Sequence, residues 1–123
     1  MNIIVYWEPK SSHRLGDHLL VTCMLVSPKG RRKPVVSEEL PLASIFGTNH
    51  PEVVGPIQSL RLVSEHWDWI SKAHASSYGV QVHCTPRAAE ALRHGKENWA
   101  QLARAYCREL KKKGCIVSLV EMN

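Results

Sequence analysis

The sequence predicts one α/β (α+β) domain with a mixed five-stranded sheet and about three helices. Three observations predict this fold class: short runs of β-branched and apolar residues, apolar residues at helical intervals between the later runs, and turn residues between the elements. The 123 residues, 44% of them hydrophobic, suffice for a core that needs neither disulfides nor a structural metal. We therefore assign residues 1–123 to a single domain.

The first three elements are predicted strands. Residues 2–7 form a β-branched and aromatic run, and residues 18–27 form a nearly continuous apolar run that is typical of a central strand. Pro28-Lys29-Gly30 provides a turn, and the apolar residues that follow it up to Leu40 allow a third strand. Residues 18–40 are therefore predicted to form a hairpin with a basic tip.

Helices dominate the remaining prediction. After a stretch from Pro41 to Pro56 that is interrupted by Gly and Pro, apolar residues recur at helical intervals from Ile57 to Ile70. The later elements are a strand at 80–82, helices at 86–94 and 96–113, and a last strand at 115–120. The predicted order is βββαβααβ.

Trp67 and Trp69 lie within the first predicted helix, two residues apart. Side chains at this spacing point about 200° away from each other on a helix. We therefore expect one tryptophan in the core and the other exposed, where it could contact a base or a protein partner.

The chain carries a net charge of +5, and this charge is clustered. Residues 86–114 hold eight Lys and Arg against three Glu and so account for the whole excess, while Lys29-Gly30-Arg31-Arg32-Lys33 forms a second cluster. Such clusters favour an anionic partner, although a solvated helix face and a polar hairpin tip would look the same. The predicted nucleic-acid contacts are Lys29, Arg31, Arg32, Lys33, Arg104, Arg108, Lys111 and Lys112.

The sequence does not support a zinc site or a thiol enzyme. The four cysteines form no C-x-x-C pair, and their spacing fits no zinc template. His83-Cys84 resembles the start of a tyrosine phosphatase loop, but Glu90 stands where that loop needs an Arg. Thr85 and Pro86 are better explained as the N-cap and first residue of a helix.

No apolar run approaches the roughly 20 residues of a membrane span, and the amino terminus lacks the basic start of a signal peptide. We therefore expect a cytoplasmic protein with no membrane association.

Two early segments resemble motifs of the ribonuclease H family. Ile3 to Lys10 follows the outline of the family's first strand, with Glu8 where the metal-binding Asp lies. Thr48-Asn49-His50-Pro51-Glu52 is similar to the opening of the family's first helix, and Glu52 matches the second carboxylate.

The resemblance continues over nearly the whole chain. Thr85, in Cys84-Thr85-Pro86, replaces the third carboxylate at the end of the family's fourth strand. Residues 97–102 resemble the family's Leu-Trp-x-x-Leu helix, and residues 117–123 resemble its last strand.

The resemblance implies a scaffold whose chemistry is lost. Ribonuclease H cuts the RNA of a hybrid with two divalent metal ions held by about four carboxylates. Here Glu8, Glu52 and Thr85 are the degenerate catalytic positions, with Glu8 and Glu52 as the metal ligands, and Pro9 replaces the glycine after the first Asp. The fourth carboxylate would lie beyond Asn123. No cofactor is expected, except Mg²⁺ or Mn²⁺ if catalysis survives.

The charge clusters and the family resemblance are compatible with three alternative functions. The first is a small basic module that binds RNA, DNA or a hybrid through phosphates. The second is an interaction or inhibitor protein that docks on an acidic or nucleoprotein partner. The third is a metal-dependent ribonuclease with an altered carboxylate set, in which Asp17 or Glu90 substitutes.

Overall fold

A computed structural model describes residues 2–14, 16–42, 48–73 and 78–121 of the chain. Its elements, in chain order, are β1 (Asn2–Ser12), β2 (Gly16–Val26), β3 (Arg32–Pro41), α1 (Pro51–Glu65), α2 (Trp67–Ala73), β4 (Tyr78–His83), α3 (Pro86–His94), α4 (Asn98–Lys112) and β5 (Cys115–Val120). The predicted strands and the last two helices are confirmed within a few residues.

The five strands form one mixed sheet in the order β3-β2-β1-β4-β5. β1 pairs antiparallel with β2 and parallel with β4, β2 pairs antiparallel with β3, and β4 pairs parallel with β5. β1 is therefore the central strand, and the chain crosses from one half of the sheet to the other between β3 and β4.

One face of the sheet and all four helices share the hydrophobic core. Ile3 and Val5 of β1 and Val80 and Val82 of β4 are fully buried and contribute alternate positions to it. Each helix adds buried side chains to the same cluster, including Leu60, Ile70, Leu92 and Leu110. Among the described residues, no helix contributes to the opposite face of the sheet.

The first predicted helix differs from the observed one in both its start and its continuity. α1 begins at Pro51, earlier than the predicted Ile57, and the backbone at His66 (φ −104°, ψ 11°) separates it from α2. Pro56 lies inside α1 and lacks the N–H that would bond the carbonyl of Glu52. The lost hydrogen bond destabilises the helix, and burial of residues 53–57 offsets this loss. Sequence periodicity does not reveal that burial. The described residues do not include 43–47, in the loop before α1. They also do not include 122–123, the end of the segment that resembles the family's last strand.

β1 extends to Ser12 although its apolar pattern stops at Trp7. The extension pairs with β2 as far as Ser12, which lies opposite Gly16. Its own side chains, from Glu8 to Ser12, are exposed. β4 pairs with β1 only from Asn2 to Val5, so β4 does not require the N–H that Pro9 lacks.

The two tryptophans behave as predicted. Trp67 is 4% exposed and belongs to the core, whereas Trp69 is 54% exposed on α2. None of the helices in the described segments is both long and apolar enough to cross a bilayer.

α1 lies directly against the Trp7 indole. A Cβ placed on Gly55 would overlap the six-membered and five-membered rings of that indole, so only glycine permits this approach. Helix and strand are thus fixed against each other by one glycine and one aromatic ring.

We expect Gly55→Ala to lower the free energy of unfolding by about 1–3 kcal/mol through this overlap, even though alanine favours a helix. Urea denaturation measures the change. Gly79→Ala is the matched control because a Cβ there meets no atom within 4 Å, and it should leave stability unchanged or slightly raised. A Gly55→Ala protein as stable as the parent would contradict the packing described here.

Candidate functional site

The three predicted catalytic positions lie near the carboxyl ends of β1 and β4. The two strands are parallel, so their carboxyl ends point to the same end of the sheet. β2 and β3 lie on one side of β1, and β4 and β5 lie on the other, so the strand order switches between β1 and β4. α1 begins beside this end, where Pro51 lines a groove with Pro9 and His18. α3 begins there as well, three residues after β4 ends.

The Trp7 indole fills the crevice between these strands and α1. Its Nε1–H donates a hydrogen bond of 2.7 Å to the backbone carbonyl of His83. Its ring lies 5.3 Å from the His83 ring, at an interplanar angle of 47°. Gly55 closes the other side of the indole. A bulky apolar ring therefore occupies the space where β1, β4 and α1 meet.

Glu8 and Glu52 extend from different sides of the sheet. Side chains alternate along β1, so Glu8 points away from the face on which Trp7 packs against α1. The Glu8 side chain is 61% exposed and pairs with Lys10 at 3.6 Å. Glu52 is exposed in the first turn of α1, where the helix dipole favours a negative charge.

Thr85 caps α3. Its Oγ1 accepts a hydrogen bond of 3.2 Å from the N–H of Ala88, and Pro86 follows as the first helical residue. The predicted N-cap is confirmed, and the hydroxyl oxygen that stands in the place of the third carboxylate has a structural role.

These donors do not fit the two-metal cage that the family resemblance implies. The cage needs several carboxylates converging on two ions, whereas here two carboxylates lie on opposite sides of the sheet and the third donor is the oxygen of an N-cap. In the described segments, three or more potential ligand atoms come within 4.8 Å of one another at Glu38, Glu65 and His66, and neither Glu8 nor Glu52 belongs to that group. Arg61 pairs with both of its carboxylates. The catalytic and metal-binding roles of Glu8 and Glu52 stay predictions.

Cys84 is a buried thiol, only 1% exposed. Burial raises its pKa to about 11; nearby Arg93 lowers the pKa and Glu52 raises it by smaller amounts. The thiol is therefore protonated at neutral pH, which agrees with the sequence argument against a phosphatase loop.

The basic β2–β3 turn and the carboxyl end of α4 lie at the other end of the sheet. Strand register aligns Val26 with Asn2, Asn2 with Gly79, and Gly79 with Ile116. The β2–β3 turn therefore lies at the same end as the start of β5, which the carboxyl end of α4 reaches through Lys113 and Gly114.

The β2–β3 turn is held by its own backbone. The N–H of Gly30 donates to the carbonyl of Ser27, and the N–H of Ser27 donates to the carbonyl of Arg31, both at 2.9 Å. Gly30 has φ +81°, a conformation that favours glycine. This turn leaves Lys29, Arg31 and Lys33 exposed to solvent.

Arg32 extends from this turn over the sheet. Its Nη1 donates to the Tyr6 hydroxyl at 3.0 Å, and its guanidinium carbon lies 5.6 Å from the centre of the Tyr6 ring. Arg32 therefore joins the basic turn to the helix-free face of the sheet.

On α4, Arg104 differs from the other predicted contacts. Its guanidinium donates to the carbonyls of Leu92 at 2.9 Å and Gly95 at 2.7 Å, which satisfies the carboxyl end of α3. Sequence spacing put Arg104 on the basic side of the helix but gave no sign of this cap, since its partners lie 9 and 12 residues away. Arg108, Lys111 and Lys112 are exposed.

None of the eight predicted contacts takes part in an ion pair within the described segments. The ion pairs there are Lys10–Glu8, Arg61–Glu38, Arg61–Glu65, His66–Glu38 and His94–Glu90. Within the described segments, these pairs leave the eight predicted contacts without a carboxylate partner.

Sequence comparisons give no match to a protein-family model and none to a curated protein. The structure is similar to ribonuclease H1 from the halophilic archaeon Halobacterium salinarum NRC-1, with a TM-score of 0.52 and 15% identity over 98% of this chain and 86% of that chain. The ribonuclease H domain of PFV gives a TM-score of 0.47 and 8% identity over 97% of this chain and 77% of that chain. Together with the strand order, the first of these matches shows that the chain has a ribonuclease H-like fold, as the sequence motifs predicted.

We expect Thr85→Ala to reduce the free energy of unfolding by about 1 kcal/mol, because the N–H of Ala88 loses its acceptor at the start of α3. Thr85→Ser keeps an acceptor oxygen and should recover most of this loss in urea denaturation. Equal stability of the Ala and Ser variants would mean that the cap contributes nothing.

Proposed function

We propose that this chain is a small nucleic-acid-binding module on a ribonuclease H-like scaffold that does not carry out the two-metal reaction. The observation that carries the proposal is the arrangement of the exposed cations at one end of the sheet, away from any described carboxylate partner. We call this surface the basic end. Its residues are Lys29, Arg31, Arg32, Lys33, Arg108, Lys111 and Lys112.

The dimensions of the basic end suit a phosphate backbone. β2 and β5 are three strand spacings apart, which corresponds to roughly 14 Å at about 4.8 Å per spacing. Nucleotides rise about 3.4 Å each along one strand of a duplex, so the two basic segments span roughly four nucleotides. Both segments could therefore bind phosphates of one strand at the same time.

The charges at the basic end favour contact with phosphates over reading of bases. Lysine ammonium groups and arginine guanidinium groups on a turn and a helix end contact the phosphate backbone, which is the same for every base sequence. Lys111 and Lys112 also stabilise the negative end of the α4 dipole, a role that leaves their ammonium groups in solvent. Binding of this kind is independent of sequence and depends strongly on salt.

The fold supports the same proposal. The neighbour with a TM-score of 0.52 is named a ribonuclease, an enzyme that acts on RNA. The scaffold in that protein therefore handles nucleic acid. In this chain the half-buried Trp7 ring lies between β1, α1 and His83, and the Thr85 oxygen caps α3, which supports binding without cleavage.

Binding of a labelled duplex should weaken steeply as salt rises. The double variants Arg31→Gln/Lys33→Gln and Lys111→Gln/Lys112→Gln should each lower the slope of log affinity against log salt by up to about 1.8, since each lost phosphate contact removes about 0.9. Fluorescence anisotropy at several salt concentrations measures these slopes.

The matched control is Arg14→Gln, which removes an exposed arginine just beyond the carboxyl end of β1, at the opposite end of the sheet. It should leave the slope unchanged. Affinity that does not respond to salt, or an equal loss in the Arg14 variant, would contradict a phosphate-binding basic end. A partner captured only in protein form, with no affinity for nucleic acid, would favour the interaction protein instead.

The chain should leave an RNA–DNA hybrid intact in the presence of Mg²⁺ or Mn²⁺, at protein concentrations that saturate binding. Gel analysis of both end-labelled strands detects any product. Cleavage that disappears in Glu52→Gln would restore the nuclease hypothesis, because a contaminating nuclease would survive that substitution.

A further inference from the structure

The face of the sheet that no described helix covers presents an aromatic and basic surface. Side chains alternate along β1, so Ile3, Val5 and Trp7 pack toward the helices while Ile4 and Tyr6 point the other way. The neighbours of Tyr6 on this face are Thr22 on β2 and Ser37 on β3, by register. We call this surface the open face.

A groove of about 470 Å³ runs across the open face. Its lining consists of Tyr6, Trp7, Glu8, Leu20, Thr22, Met24, Arg32 and His83. All of these except the exposed Glu8 and Arg32 are half-buried, so they are held by the sheet yet reachable from solvent. The groove is therefore a formed surface and does not require a loop to move.

The groove offers three kinds of contact side by side. Leu20 and Met24 provide apolar surface, and the Tyr6 ring provides a flat aromatic surface. The Thr22 hydroxyl, 3.3 Å from the Ser37 hydroxyl, provides polar contacts at the edge. Arg32 provides a planar cation above the Tyr6 ring. A nucleobase needs this combination, because it stacks by its faces and hydrogen-bonds by its edges.

The open face adjoins the basic end, so an anionic strand bound at the basic end can extend into the groove. Arg32 lines the groove and also belongs to the basic turn, so the groove and the basic end are one continuous surface. The groove also holds one acid, Glu8, which pairs with Lys10 at 3.6 Å, and Glu39 lies opposite Leu20 on β3.

Based on the nucleic-acid-binding function proposed above, we infer that the open face binds single-stranded nucleic acid, with bases stacked at Tyr6 and Arg32 and phosphates at the basic end. A single strand is favoured over a duplex because the bases of a duplex are stacked on one another and cannot lie flat on a sheet. Stacking on an aromatic ring tolerates any base, so the inferred site has little sequence preference.

The test compares a fluorescein-labelled single strand with the duplex of the same sequence, by anisotropy, on the full chain. Tyr6→Ala should weaken single-strand binding about 5- to 150-fold, the range expected for the loss of one stacked base, and leave duplex binding unchanged. Tyr6→Phe keeps the ring and loses only the hydroxyl that accepts from Arg32, so it should retain most of the affinity. This variant separates stacking from a general loss of structure.

Trp69→Ala is the matched control, since Trp69 is an exposed aromatic residue on α2, away from the groove. It should change neither affinity. Equal weakening of single strand and duplex by Tyr6→Ala, or no weakening of either, would overturn the open-face site while the basic end keeps its function. Absence of all nucleic-acid binding would remove both proposals. Sedimentation that shows a dimer lost in Tyr6→Ala, with single-strand affinity unchanged, would assign the open face to a second copy of the chain.

Discussion

The contact of the Trp7 indole with Gly55 and the carbonyl of His83 sets the positions of α1, β1 and the end of β4 relative to one another. It fixes α1 against the central strand and closes the crevice at the carboxyl ends of β1 and β4. Because side chains alternate along a strand, the inward position of Trp7 also sends Tyr6 and Glu8 outward. The half-buried Trp7 ring thus packs against α1, while Tyr6 lies on the open face.

Sequence patterns predicted the sheet well because each strand either is buried or is bounded by turn residues. They failed where tertiary contacts decide the structure. Pro56 suggested a helix boundary, yet α1 includes it because residues 53–57 are buried against the sheet. The polar half of β1 carries no apolar periodicity and is a strand through pairing with β2. The cap that Arg104 provides for α3 joins residues distant in sequence, which helical spacing cannot reveal.

The candidate site was harder to predict than the fold for a similar reason. The motif around Glu8 is correct about the strand but does not reveal which face each side chain takes, and a shift of one residue reverses the face. Trp7 occupies the inward position, so the acid beside it faces outward. The charge clusters were visible in the sequence. Their common location at one end of the sheet follows only from the register of β1, β2, β4 and β5.

The basic end and the open face meet at Arg32, and this arrangement has a physical consequence for the proposed binding. Phosphate contacts are weakened by salt because they release counterions, whereas stacking on an aromatic ring is governed by apolar and dispersion contacts that salt affects little. A ligand that uses both surfaces therefore keeps part of its affinity when salt removes the electrostatic part. A duplex that contacts only the basic end lacks this salt-independent part of the affinity. Rising salt should thus increase the preference of the chain for single strands, with Arg32 and Tyr6 as the point where the two kinds of contact join.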